Sequence, residues 1–157
     1  MKRLITILTI LVLIPGCNEP EATENLTADT PGFVLSDENV EVKIGEDGAL
    51  LSLVNKETGH NYASGEGLWR MFYNTHQEKE MQIDGTENTP AVSQEGDVIT
   101  ITYKDLVHRG KALKMDLTLT VKVEDGAVRF SSVVSNNEPG TIIRELQYPL
   151  VGNMNLP

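Results

Sequence analysis

Few side chains in this sequence are of a type and spacing that could perform chemistry. The 157 residues hold three histidines, His60, His76 and His108, and a single cysteine, Cys17. No two histidines stand as His-x-His or His-x₃-His, so the chain offers no local imidazole pair to a metal. A lone cysteine makes neither an intramolecular disulfide nor a cysteine-based metal site. His60 follows the turn glycine Gly59 and His76 lies in a polar stretch, and the expectation is solvated loop histidines. Asp105 and His108 flank Leu106-Val107 with no nucleophile beside them. No Gly-x-Ser-x-Gly elbow, phosphate-cradling Gly-x₄-Gly-Lys loop or calcium loop occurs. With 23 acidic residues, close carboxylate pairs arise by chance. A pair about 5–10 Å apart across a sugar cleft therefore cannot be nominated. No catalytic residue, metal ligand or cofactor is expected.

The aromatic stretch Leu68-Trp69-Arg70-Met71-Phe72-Tyr73 is more informative, because Trp69 is the only tryptophan. Aromatic faces can stack on sugar rings, which makes Trp69 and Tyr73 the candidate carbohydrate contacts. An alternating strand would put Trp69, Met71 and Tyr73 on one face and Leu68, Arg70 and Phe72 on the other. The competing expectation is a tryptophan that anchors a sandwich core. Arg70 and Arg144 are expected to pair with nearby acids.

Cys17 belongs to a different kind of chemistry. Lys2 and Arg3 open the chain, Leu4 to Ile14 are apolar save two threonines, and Pro15-Gly16 breaks the run. About eleven apolar residues are too few to span a bilayer, which needs roughly 20 as a helix, but they fit an export signal. Ile14-Pro15-Gly16-Cys17 resembles a bacterial lipobox, with Pro15 standing where Ala, Ser or Thr is usual. The resemblance implies cleavage between Gly16 and Cys17, a diacylglyceryl thioether on Cys17 and acylation of the new amino terminus. Two or three acyl chains anchor stably where one holds only marginally. Asn18 is not the aspartate that retains some lipoproteins at the inner membrane, so an outer-membrane destination is expected, facing the periplasm or the surface.

Residues 18–32, NEPEATENLTADTPG, carry four acids, no base and two prolines. Such a stretch buries too little apolar surface to offset its conformational entropy and reads as a tether. The expected organisation is a signal peptide at 1–16, the lipidated cysteine and tether at 17–32, and a folded region at 33–157. Loss of residues 1–16 removes two cations and no acid, moving the formal charge from -10 to -12. That balance argues against nucleic acid and against anionic headgroups as partners.

From Phe33 onward the pattern is β. Period-two alternation runs through Val40–Ile44, Val98–Tyr103 and, longest, Leu113–Val123. Turn signals carrying glycine separate such runs at Gly45-Glu-Asp-Gly48, Glu57-Thr-Gly59, Glu95-Gly96-Asp97, Glu124-Asp-Gly126 and Glu138-Pro-Gly140. The spacing predicts an all-β fold, an antiparallel β-sandwich. The strands look long for one complete sandwich, so the expectation is the front part of a longer product. The alternative is a small complete sandwich with its last strand paired inside a sheet.

Taken together, Val40-Glu-Val-Lys-Ile44, Gly48-Ala-Leu-Leu-Ser-Leu-Val-Asn-Lys-Glu-Thr-Gly59 and Leu68-Trp69-Arg-Met-Phe72 are similar to the opening of many bacterial carbohydrate-active enzymes. In these a galactose-mutarotase-like β-sandwich precedes a catalytic barrel. Arg144-Glu-Leu-Gln-Tyr-Pro-Leu150 resembles a later strand of the same domains. The resemblance covers about residues 38–152 and rests on turn and core motifs, so it carries over no catalytic residue. It implies a non-catalytic, lipid-anchored envelope sandwich that supports or binds polysaccharide, with a downstream catalytic domain or a partner chain completing the sheet. The competing expectation is a complete surface lipoprotein that binds protein in adhesion or assembly. A third is an enzyme acting on carbohydrate by itself.

Overall fold

The computed structural model of the protein describes residues 31–63 and 67–152. Gly16, Cys17 and the acidic stretch as far as residue 30 lie outside the described residues. Twelve strands form in chain order: β1 Gly32–Ser36, β2 Val40–Gly45, β3 Leu50–Asn55, β4 Arg70–Asn74, β5 Met81–Asp84 and β6 Ala91–Glu95. Then come β7 Val98–Tyr103, β8 Val107–His108, β9 Lys111–Ala112, β10 Met115–Glu124, β11 Ala127–Asn136 and β12 Ile142–Gln147. Helical structure among the described residues is one 3₁₀ turn, Gly85–Glu87, and no helix there is long and apolar enough to cross a membrane.

Every strand pairing is antiparallel. The sheets run β1-β2-β3, β11-β10-β7-β6 and β12-β4-β5, with β8-β9 as a separate ribbon. The alternation read in the sequence decides which faces are buried. On β10, Met115, Leu117, Leu119, Val121 and Val123 are buried while the residues between them stay half-exposed. Ile99, Ile101 and Tyr103 do the same on β7. Leu35, Val42, Ile44 and Leu50 from the first sheet and Met71, Tyr73 and Ile83 from the third join them in one core. The fold is thus all-β, and a sandwich of antiparallel sheets describes it.

Turn chemistry sets the register. Asp125 and Gly126 join β10 to β11 with φ of 52° and 76°, the double positive φ that a two-residue type I′ hairpin requires. Asp37 then fastens that hairpin. Its Oδ1 accepts the N–H groups of Asn39 and Val40, and its Oδ2 accepts that of Gly126 at 3.0 Å. β10 starts two residues later than the alternation suggests. Leu113 is buried, but its N–H goes to the Leu106 carbonyl, and the Leu106 N–H goes to Met115. The chain there closes the mouth of the β8–β9 ribbon instead of extending the ladder.

The last two strands both lie at sheet edges. β11 pairs only with β10, and β12 only with β4, among the described residues. Phe130, Val134, Ile143 and Tyr148 pack half-buried against the core, and Phe130 meets Tyr148 edge-on at 5.6 Å. Val133 and Ile142 stand out at 69% and 66% exposure.

Candidate functional site

A cleft of about 430 Å³ opens where the end of β4, the loop after it, the β8–β9 ribbon and the turn before β12 converge. Its chemistry comes from Tyr73, His76, Glu78, His108, Arg109 and Glu138. The ribbon turn is Arg109-Gly110, with φ of 49° and 74°. This is again the type I′ requirement, met here by an arginine where asparagine or glycine is usual. The left-handed conformation costs a non-glycine residue roughly 1–2 kcal/mol. It places the Arg109 guanidinium 3.2 Å from Glu78. On the facing loop, Thr75 Oγ1 accepts the N–H groups of Gln77 and Glu78, and Asn74 Oδ1 accepts that of Glu80. These bonds fold residues 75–80 into a tight turn that presents Glu78. Across the cleft, Gly140 has a φ of 69°, the left-handed region that favours glycine, and a Cβ there would come 2.6 Å from the exposed His76 ring.

His108 lies at the base of the cleft, 8% exposed, and neither ring nitrogen has a hydrogen-bond partner. Its ring meets Tyr73 edge-on, centroids 5.6 Å apart. Leaving such a group unpaired costs about 1–3 kcal/mol. Burial pushes the Tyr73 phenol pKa up; Arg109 opposes this, and Glu78 and Glu138 add to it. Glu138 Oε2 accepts the Lys114 N–H at 2.9 Å, and Lys111 Nζ lies 3.6 Å from its Oε1. The backbone bond foremost, then the lysines, hold the Glu138 carboxyl below its ordinary value.

Each carboxylate thus already has a cation, so the cleft presents no uncompensated charge of either sign. What it offers is a rim of donors and acceptors above a buried imidazole whose nitrogens have no partner. A ligand that both gives and takes hydrogen bonds, such as a polyhydroxylated one, matches it. Among the described residues no group of three or more His, Cys, Asp or Glu is arranged to hold a metal ion.

The residues singled out from sequence are placed as follows. Trp69 is wholly buried, edge-on to Tyr103 at 5.2 Å, and Tyr73 is 1% exposed. Both rings belong to the core, so neither face is open for a sugar to stack on. Tyr73 instead forms part of the cleft wall. His76 is exposed, and His60 is half-buried beside Tyr62 at 4.5 Å. His76 thus meets the solvated-loop expectation and His60 only in part, while His108, for which no such expectation was made, is buried. Neither Arg70 nor Arg144 closes an ion pair among the described residues. Cys17 and Gly16 lie outside the described residues. The grouping of His108 and Arg109 with Glu78 and Glu138 was not anticipated; the one local signal was the x-Gly turn inside Val107-His-Arg-Gly-Lys-Ala112.

Comparison of the chain with protein-family models, with curated proteins and with solved structures finds no match.

Proposed function

We propose that this is a lipid-anchored cell-envelope protein whose non-catalytic β-sandwich supports or binds polysaccharide, the contact being made in the His108 cleft. The observation that carries the reading is the buried, unpartnered His108 imidazole at the base of a cleft of balanced charge. Hydroxyls would meet the donors and acceptors of Glu78, Arg109 and Glu138 that surround this buried ring. The galactose-mutarotase-like resemblance supports the same reading, since β2, β3 and β4 fall on the stretches that carry it. Anchoring rests on the Ile14–Cys17 motif, and the outer membrane is the proposed address.

Retention of the chain on a panel of insoluble and soluble polysaccharides tests the cleft. At least one glycan should retain the wild type, and His108→Leu or Arg109→Ala should weaken that retention about tenfold or more. Equal retention of all three proteins would remove the cleft from the account. For the anchor, metabolic labelling with palmitate should mark the wild type and leave Cys17→Ser unlabelled. A second reading, a protein-binding assembly component, is favoured by the outward Val133 and Ile142 on the two edge strands. It predicts that Val133→Lys with Ile142→Lys abolishes capture of a protein partner and leaves glycan retention unchanged.

A further inference from the structure

A second cavity, of about 340 Å³, shares no lining residue with the His108 cleft and is bounded by Asp47, Gly48, Gly67, Gly85, Thr86 and Tyr103. It falls at the small end of the range for ligand pockets, about 300–1,000 Å³. One buried polar group lies at its floor and a second behind it. Tyr103 is 2% exposed, and its hydroxyl comes up between two glycines of the cavity wall: a Cβ on Gly48 would meet it at 2.6 Å and one on Gly85 at 3.4 Å. Behind it, the indole nitrogen of the wholly buried Trp69 has no hydrogen-bond partner, and a Cβ on Gly85 would approach it at 3.1 Å. The indole N–H faces the Tyr103 oxygen without reaching hydrogen-bond geometry. It is still near enough to pull the phenol pKa partly back from the rise that burial causes.

We infer that this cavity is a binding site for a single neutral, hydroxyl-bearing unit such as a monosaccharide, read by the Tyr103 hydroxyl with the Trp69 N–H behind it. An indole nitrogen only donates. Turned toward the Tyr103 oxygen, it leaves the phenolic proton to be given outward, to an acceptor in the cavity. Side chains are missing at Gly48, Gly67 and Gly85, and the first and last of these leave clear the approach to both polar groups. An anion is disfavoured, because the Asp47 carboxylate borders the cavity and the whole chain is strongly acidic. Thr86 and Thr89, exposed at the rim, leave the mouth polar. The inference shares with the cleft reading only the class of ligand and uses different residues.

Trp69 is the only tryptophan, so the full chain gives one indole ¹H–¹⁵N resonance, and that resonance reports on this cavity alone. Titration with D-galactose and D-glucose should move it saturably. Glucuronate should act at least about tenfold more weakly. Tyr103→Phe, which removes only the hydroxyl, should weaken the sugar about tenfold or more, and Gly85→Ala should abolish the response by filling the floor. No movement with either neutral sugar overturns the inference, as does an undiminished response in Tyr103→Phe; the cavity then holds water only. If Gly85→Ala does not melt cooperatively, Tyr103→Phe alone decides. His108→Leu separates the two sites: it should lower polysaccharide retention without altering the indole response. Loss of the indole response in a wild type that still binds glycan would sink this site and leave the cleft standing.

Discussion

At the scale of single residues, the buried side chains divide into those that stabilise and those that do not. Trp69 fills the core against Tyr103, and Trp69→Ala should destabilise by about 3–5 kcal/mol in denaturant unfolding. His108 is the opposite case. An imidazole with two unpaired nitrogens is destabilising, so an apolar side chain of similar size should be neutral or favourable there. His108→Leu is expected to leave the melting temperature unchanged or higher while glycan retention falls; a lower melting temperature would mean the imidazole has a stabilising partner. The inward face of Met71 and Tyr73 was legible from strand alternation, and so was the core role of Trp69. Leu68, expected on the other face with Arg70 and Phe72, lies ahead of β4 and is buried as well. The burial of His108 was not legible, because the ring that covers it, Tyr73, comes from a distant strand, and no local pattern encodes that meeting.

At the scale of elements, turns carry much of the specificity. Asp37 joins the β1–β2 turn to the tip of the β10–β11 hairpin. The N–H groups of Val40, then Asn39 and Gly126, hold its carboxyl below the ordinary value of 3.8, with Lys56 assisting. A carboxyl whose pKa is depressed by folding stabilises above its unfolded value, and the contribution is lost as pH falls through the folded one. Asp116, Glu124 and Glu138 are depressed as well. The denaturant midpoint should therefore drop as pH falls below about 4, and Asp37→Asn should show a shallower drop than the wild type. The ribbon turn gives a complementary test. Arg109→Asn suits the left-handed conformation better and removes the Glu78 partner, so stability should hold or rise while glycan retention weakens. The Asp-Gly hairpin was legible because its residues are those the turn demands. The Arg-Gly turn was not, since arginine is a poor choice there on local grounds alone.

At the scale of the whole molecule, the all-β class and the alternating faces of β7 and β10 were readable, but the neighbours of each strand were not. β12 pairs with β4 instead of with β11, which precedes it. Such choices depend on how the inner faces meet, and alternation states only which face is inward. The exposed edges also make a simple check on the fold. Val133→Lys should change unfolding free energy by no more than about 0.5 kcal/mol, whereas Ile101→Ala, at a wholly buried position, should cost about 2–5 kcal/mol.

The Asp37–Gly126 bond has a consequence in time. The β10–β11 hairpin is closed by two residues and aligned along its whole length, so it can form early from local contacts. The aspartate that fastens its tip is 89 residues away in the chain, and that long loop closes only once both turns exist. The bond is therefore expected to form on the downhill side of the folding barrier. Asp37→Asn should speed unfolding and leave the folding rate almost untouched.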